Sequence, residues 1–125
     1  MTGLVFDAGA LMAFEKNDRL VVLLIKRLVE LDATLVVPAG VVGQVWRDGS
    51  RQARLARLLG SRITRVEPLD DRRARAAGQL CGVARSRGVI DAAVILAARE
   101  HGFPVATSDP GDLARLDPKA RLVAV

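Results

Sequence analysis

The apolar positions of this chain form short runs, and longer segments with helical periodicity lie between them. Short apolar runs bounded by turn residues are typical of strands buried on both faces, as in a parallel sheet. Five runs are predicted as strands: Leu4–Phe6, which ends at Asp7, then Leu35–Val37, Ile63–Val66, Val105–Thr107 and Leu122–Val125. Strands that alternate with helices favour an α/β fold with a central parallel sheet of four to five strands and right-handed crossovers.

The intervening segments repeat apolar residues at helical spacing and begin or end at capping residues. They predict helices over Ala8–Phe14, Arg19–Leu31, Ala39–Arg47, Arg51–Leu59, Asp71 to about Arg85, Ile90–Glu100 and a short segment ending at Leu116. Asp18, Ser50 and Asp70 are the expected N-caps of three of these helices. The first half of Arg19–Leu31 is almost entirely apolar, so we expect it to be buried.

Length and composition favour one domain that spans residues 1–125. The start has no basic leader, and the longest apolar run, Leu20–Ile25, is far too short to cross a bilayer. A soluble cytoplasmic protein without a membrane segment is therefore expected. The single cysteine, Cys81, excludes an internal disulfide and is expected to be buried. The single histidine, His101, is expected to lie exposed at a helix C-terminus.

The positive charge of the chain is concentrated in one segment. The whole sequence has 19 Lys and Arg against 14 Asp and Glu, and residues 47–75 alone have nine Arg against four acids. This segment could receive the phosphate backbone of a nucleic acid, since Arg binds phosphate through two hydrogen bonds at once. It could equally form a solvated helix face. Aromatic residues are few, which argues against base stacking, and the glycines form no phosphate-binding loop.

If the first and fourth strands are neighbours, three aspartates meet at the carboxyl edge of the predicted sheet. Asp7 ends the first strand, Asp109 follows the fourth strand, and Asp91 begins the helix that leads into the fourth strand. Open α/β sheets bind their ligands at this edge. Each residue also has a purely structural explanation, because Asp is favoured at N-caps and in first helical turns.

Convergence of the three aspartates would create a cation site. Like charges a few ångströms apart repel one another, and a divalent ion relieves that repulsion. Oxygen ligands without His or Cys favour Mg²⁺ or Mn²⁺ over zinc. Such ions serve phosphoryl transfer by activating water and stabilising the leaving oxygen.

Four short motifs follow one another in a characteristic order: Leu4-Val-Phe-Asp7-Ala-Gly-Ala-Leu, Val37-Pro-Ala-Gly-Val-Val-Gly-Gln44-Val-Trp-Arg47, Val89-Ile-Asp91-Ala-Ala and Thr107-Ser-Asp109-Pro. With this order and spacing the chain resembles a PIN domain over its whole length. It is most similar to the single-domain VapC-type toxins of bacterial toxin–antitoxin pairs. The resemblance implies a three-layer α/β fold and a metal-dependent endoribonuclease, usually a homodimer, that a cognate antitoxin holds inactive.

The resemblance also implies roles for individual residues. Asp7, Asp91 and Asp109 are the implied ligands of Mg²⁺ or Mn²⁺. Ser108 occupies a position where the family often has a hydroxyl near the metal. Asp112 is a candidate additional outer ligand.

One position departs from the family pattern. Most members carry Glu on the helix after the second strand, and this chain has Gln44. An amide oxygen can ligate a metal without bringing negative charge, and the lost charge costs about a few kcal/mol at moderate dielectric. Asp48 lies four residues further and could compensate if the helix continues.

Two interpretations therefore remain open. In the first, the protein is an active nuclease that uses the three acids together with Gln44 or Asp48. In the second, it is a catalytically impaired PIN scaffold that binds RNA or a protein partner. A small-molecule α/β domain is less favoured because the chain lacks a phosphate loop.

Overall fold

The structure of this chain, a computed structural model, describes residues 2–125. Its strands are β1 (Gly3–Phe6), β2 (Thr34–Pro38), β3 (Thr64–Glu67), β4 (Val105–Thr107) and β5 (Leu122–Ala124). Its helices are α1 (Ala8–Glu15), α2 (Arg19–Glu30), α3 (Ala39–Val45), α4 (Ala53–Leu59), α5 (Asp71–Ala84), α6 (Val89–His101) and α7 (Pro110–Leu116). All strand pairs are parallel, in the order β3-β2-β1-β4-β5, which confirms the predicted α/β class.

The central strands are covered on both faces of the sheet. Leu35, Val36 and Val37 follow one another in β2, and each of them has no exposed surface. Successive side chains of a strand point to opposite faces, so both faces must be packed against other elements. The fold therefore has the predicted three layers, with the sheet between helices.

The strand order reverses between β1 and β4. From β1 the chain moves outward to β2 and β3, and it then returns to the other side of β1 to form β4 and β5. Phe6 of β1 pairs with Ala106 of β4, so the next residues, Asp7 and Thr107, reach the same edge of the sheet. A crevice forms at such a reversal because the two connecting segments leave in opposite directions.

Helix α2 does not have the buried first half that its apolar sequence predicts. Its buried residues are Val21 and Leu28, whereas Leu20 and Leu23 are 47% and 52% exposed. The prediction was wrong because a nearly continuous apolar run does not reveal which residues face the core. Only one stripe of this helix packs inward, and the rest leaves an apolar surface.

The segment between α3 and α4 also differs from the prediction. Helix α3 ends at Val45 and not at Arg47, and α4 begins at Ala53. Ser50 does not cap α4, because its N–H and its hydroxyl both donate to Asp48 Oδ1. Gln52 stabilises the loop between α3 and α4. Its Oε1 accepts hydrogen bonds from the backbone N–H groups of Arg47 and Asp48, at 2.8 and 3.0 Å.

Other local predictions are confirmed. Asp18 and Asp70 cap α2 and α5 by accepting from the backbone N–H groups of Val21 and Arg73. Cys81 is buried and free. Across residues 2–125, none of the helices has both the length and the apolar character that crossing a membrane requires.

Candidate active site

An open cleft of about 400 Å³ lies at the strand reversal, beyond the ends of β1 and β4. Its polar side chains are those of Asp7, Gln44, Arg47, Asp91, Ser108 and Asp109. All five residues that the sequence predicts for the site are in this group. They come from four separate segments of the chain, so the fold and not local sequence brings them together.

Asp7 is the most deeply placed acid of the cleft. It follows β1, is 6% exposed, and accepts a 2.9 Å hydrogen bond at Oδ1 from the N–H of Ala10. It is therefore both the N-cap of α1 and a lining residue of the cleft. Burial raises the pKa of Asp7 above its ordinary value of 3.8, the Asp109 charge adds to this effect, and hydrogen bonds oppose it.

Asp91 faces the same cleft from the first turn of α6. It is half-buried. Burial raises the pKa of its carboxyl first, and the negative charges of Asp7, Asp112 and Asp109 raise it further. The negative charges around Asp91 thus repel one another, and a nearby divalent cation would relieve that repulsion.

Asp109 and Ser108 follow β4 and are exposed at the mouth of the cleft. The Asp109 side chain accepts a 3.3 Å hydrogen bond from Asp112 N–H and caps α7, whose first residue is Pro110. Thr107, which has no exposed surface, connects the two strand ends. Its hydroxyl accepts from Asp109 N–H at 2.9 Å and hydrogen-bonds to the Asp7 carboxylate.

The first turn of α1 and the loop after β4 touch at Gly9. A Cβ placed on Gly9 would lie 1.8 Å from Ser108 Oγ and 2.8 Å from Ser108 Cβ. Only glycine permits this approach without a shift of the loop, so Gly9 sets the spacing between the segments that carry Asp7 and Asp109.

No basic side chain neutralises the three aspartates in the part of the chain that the structure describes. The ion pairs near the cleft involve other acids: Arg51 pairs with Asp48 at 3.8 Å, and Arg115 pairs with Asp112 at 3.6 Å. The charges of Asp7, Asp91 and Asp109 are therefore available to an external cation.

The donor set suits a hard divalent cation, although it does not form a closed cage. Among residues 2–125, no three His, Cys, Asp or Glu side chains stand close enough together to hold a metal ion. Mg²⁺ keeps several waters and commonly uses only one or two carboxylates. The arrangement therefore fits a hydrated ion bound by one or two of the three aspartates.

A family model described as PIN domain matches residues 4–118. The chain belongs to the PIN domain family. PIN domains are generally nucleases that use divalent metal ions. None of the curated protein sequences compared with the chain matches it.

Solved structures share the fold of this PIN domain. VapBC2 from Rickettsia felis, bound to a DNA fragment from its promoter, is similar with a TM-score of 0.71 at 14% identity, over 99% of each chain. FitAcB from Neisseria gonorrhoeae has a TM-score of 0.63 at 20% identity, over 95% of each chain. FitAB bound to an IR36 DNA fragment has a TM-score of 0.65 at 17% identity, over 97% of this chain and 94% of that one.

This PIN domain places Gln44 in the cleft and Asp48 outside it. Because α3 ends at Val45, the spacing of four residues between Gln44 and Asp48 does not put them on one helix face. Hydrogen bonds from Ser50 to the Asp48 carboxylate lower its pKa. Asp48 is therefore engaged in its own turn, and the proposal that it replaces the missing acid loses its structural basis.

The arginines of residues 47–75 differ in their partners within the PIN domain. Five of the nine pair with acids: Arg51, Arg62, Arg65, Arg73 and Arg75. Arg54 lies over the Phe14 ring with its guanidinium carbon 4.8 Å from the ring centroid. The segment is therefore no uniform basic surface, and Arg47 is its one member that lines the cleft.

A second cavity of about 320 Å³ lies between α5, α6 and the end of β3. It is lined mainly by apolar side chains, and Glu67, which is 3% exposed, is its buried acid. Glu67 pairs with Arg65, Arg73 and His101. The cavity lacks the aspartates, so its chemistry does not suit a nuclease site.

His101 ends α6 as the sequence predicts, but it is not exposed. Its side chain is 18% exposed, and its ring stacks on Phe103 with a centroid distance of 5.2 Å. The local sequence gave no sign of Glu67 as its partner, because the two residues are 34 positions apart.

Proposed function

We propose that this PIN domain is a Mg²⁺- or Mn²⁺-dependent endoribonuclease and the toxin component of a type II toxin–antitoxin pair. The observation that carries the proposal is the convergence of three aspartates without a basic partner at the strand reversal. Family membership supports nuclease chemistry at this position.

The roles of the residues follow from their positions. Asp7 provides a buried and oriented carboxylate, and Asp91 and Asp109 provide two further carboxylates nearer to solvent. A divalent ion bound there would supply activation of water and stabilisation of the leaving oxygen. Gln44 adds a neutral amide oxygen to the cleft. Ser108 adds a hydroxyl at the mouth of the cleft, and this hydroxyl can donate a hydrogen bond to a phosphate oxygen or accept one.

We infer that RNA is the substrate and that a cognate antitoxin and a second copy of the chain are partners. The support comes from the VapBC and FitAB toxin–antitoxin complexes that share the fold. The exposed apolar residues of α2, Leu20 and Leu23, are consistent with a protein partner, because exposed apolar patches commonly mark interaction surfaces. We also propose that residues 1–125 act as one domain.

Incubation of the purified protein with total RNA tests the proposed activity. Cleavage should appear with Mn²⁺ or Mg²⁺, should disappear with EDTA, and should be absent from Asp7→Asn. The control is Asp18→Asn, which changes a helix-capping aspartate outside the cleft in the same way. Cleavage that persists in EDTA, or in Asp7→Asn, would rule out the proposal.

A second candidate is a PIN scaffold that binds RNA or a protein without cutting. Gln44 favours it, because the cleft has one negative charge fewer than the family pattern and the three acids form no closed cage. Titration calorimetry with Mn²⁺ separates the two candidates. The scaffold predicts no uptake by the wild type and uptake by Gln44→Glu, whereas the nuclease predicts uptake by both.

A further inference from the structure

The side chain of Arg47 is held in the cleft by backbone carbonyl groups. Its Nη1 donates to the carbonyl oxygens of Gly43 at 3.0 Å and Trp46 at 2.7 Å. Nη1 carries two hydrogens, so both are used. In the described part of the chain, Nε and Nη2 have no protein acceptor, and these two atoms form one complete edge of the guanidinium group.

The backbone of Arg47 is held by the buried Gln52, whereas the two side-chain hydrogen bonds of Arg47 are exposed to solvent. Gln52, which is 9% exposed, accepts from the N–H of Arg47 at 2.8 Å and donates from Nε2 to Val45 O at 3.0 Å. Both ends of the residue are therefore placed before any ligand binds. Preorganisation of this kind lowers the conformational entropy lost on binding.

No carboxylate competes for the open edge of Arg47. Although the side chain lines the cleft together with three aspartates, the ion pairs found in residues 2–125 do not include it. The neighbouring Arg51 pairs with Asp48 instead. A preorganised guanidinium edge beside a cation site suits an oxyanion that bridges the two, and a phosphate diester has this geometry and charge.

The geometry points to Arg47 as the phosphate-binding residue of the cleft: its Nε–Nη2 edge binds an RNA phosphate beside the three aspartates. This inference rests on the proposed function for the identity of the nucleic acid. The competing explanation is that Arg47 merely caps the C-terminus of α3, since Gly43 and Trp46 supply carbonyls at that helix end. If Arg47 only capped α3, its Nε–Nη2 edge would not need to be free of protein acceptors.

The salt dependence of binding separates phosphate binding from helix capping. The probe is a single-stranded RNA oligonucleotide in EDTA, which removes the ion that the proposed cleavage requires, at several concentrations of KCl. Each phosphate contact to a single strand contributes about −0.7 to the slope of log K against log salt. Arg47→Gln should reduce the magnitude of the slope by about 0.7, and Arg47→Lys, which keeps the charge, should leave it nearly unchanged.

Arg121→Gln is the matched control for this measurement. Arg121 is exposed, directly precedes β5 at the opposite edge of the parallel sheet, and also donates from its guanidinium to a backbone carbonyl, that of Gly102. Its substitution should leave the slope at the wild-type value. An unchanged slope for Arg47→Gln, or equal loss for the two variants, would overturn the inference.

Cleavage by Arg47→Lys provides a second readout if Arg47→Gln does not fold. A lysine retains the charge but lacks the two-pronged edge, so kcat/KM should fall by about ten- to a hundredfold with an unchanged melting temperature. Wild-type rates in a folded Arg47→Lys would overturn the inference and leave the nuclease proposal intact. Absence of cleavage by the wild type would defeat the nuclease proposal, whereas the slope would still decide whether Arg47 binds phosphate.

Discussion

Replacing Asp7 by Asn should stabilise the metal-free protein while abolishing its activity. Asp7 is 6% exposed, and burial followed by the Asp109 charge raises its pKa. Asn has nearly the same shape and caps helices as well as Asp does, so the hydrogen bond to Ala10 N–H is retained. The substitution therefore removes one buried negative charge and little else.

The size of the effect follows from the charge that is removed. Two unit charges about 6–8 Å apart repel by about 1–3 kcal/mol at an effective dielectric of about 20–40. Asp7→Asn also removes the free-energy cost of burying the Asp7 charge, which stabilises the variant further. A weaker hydrogen bond from Thr107 opposes it by about 1 kcal/mol, which leaves a net gain of about 1–2 kcal/mol. For a chain of this length, the melting temperature should rise by about 3–10 °C at pH 7 in EDTA.

The gain should depend on pH with a defined sign. Because the folded-state pKa of Asp7 lies above 3.8, the wild-type carboxyl contributes stability below that pH and loses it as the pH rises through the raised pKa. The variant has no such titration at this position. Its advantage should therefore vanish below about pH 3.8 and be complete once the pH exceeds the raised pKa.

The divalent ion should reverse the comparison between wild type and variant. At a Mg²⁺ concentration about one hundred times its Kd, a folded wild-type site gains about 2.7 kcal/mol, which exceeds the advantage of the variant, and Asp7→Asn should gain much less. Asp18→Asn, a matched capping change outside the cleft, should follow the wild type in both conditions. Thermal unfolding that shows Asp7→Asn to be less stable in EDTA at pH 7, or equally stabilised by Mg²⁺, would refute the reasoning.

Three further predictions concern the surroundings of the cleft. Gly9→Ala should cost about 1–3 kcal/mol by urea unfolding through its clash with Ser108, and it should be neutral or stabilising in a Ser108→Gly background, since Ala is the better helix former. Gln44→Glu should tighten Mn²⁺ binding about tenfold by calorimetry, because it adds a carboxylate to the cleft, and unchanged affinity would show that this side chain does not reach the ion. Glu67→Gln should destabilise the fold by about 1–2 kcal/mol with wild-type metal affinity, because it weakens the contacts that a 3% exposed carboxylate makes with Arg73 and His101, and a stability loss below about 0.5 kcal/mol would contradict this.

Periodicity predicted the strands of the sheet, and the convergence of the aspartates followed on the condition that the first and fourth strands are neighbours. The runs that became β1 and β4 are short, apolar and bounded by turn residues, and parallel strands place the residues after them at one edge. Asp7 and Asp109 follow these runs directly. Their proximity therefore required only the correct strand order, which the alternation of strands and helices strongly restricts.

The features that the sequence did not reveal depend on contacts between distant segments. His101 was expected to be exposed because its partner Glu67 is 34 residues away in the chain. The basic segment between residues 47 and 75 suggested one RNA surface, yet Arg62 and Arg73 pair with acids from other elements and three further arginines pair with acids nearby in the chain. Thr107 and Arg47 matter through hydrogen bonds to the backbone and to Asp7, and such bonds have no signature in periodicity or charge.

The position of a bound cation tests the central claim most directly. Crystals soaked in Mn²⁺ should show an anomalous difference peak in the cleft, in contact with one or two carboxylates from Asp7, Asp91 and Asp109, and Asp7→Asn crystals treated in the same way should show a weakened peak or none. A peak elsewhere, or an empty cleft at saturating Mn²⁺, would contradict the claim that these three aspartates form a metal centre.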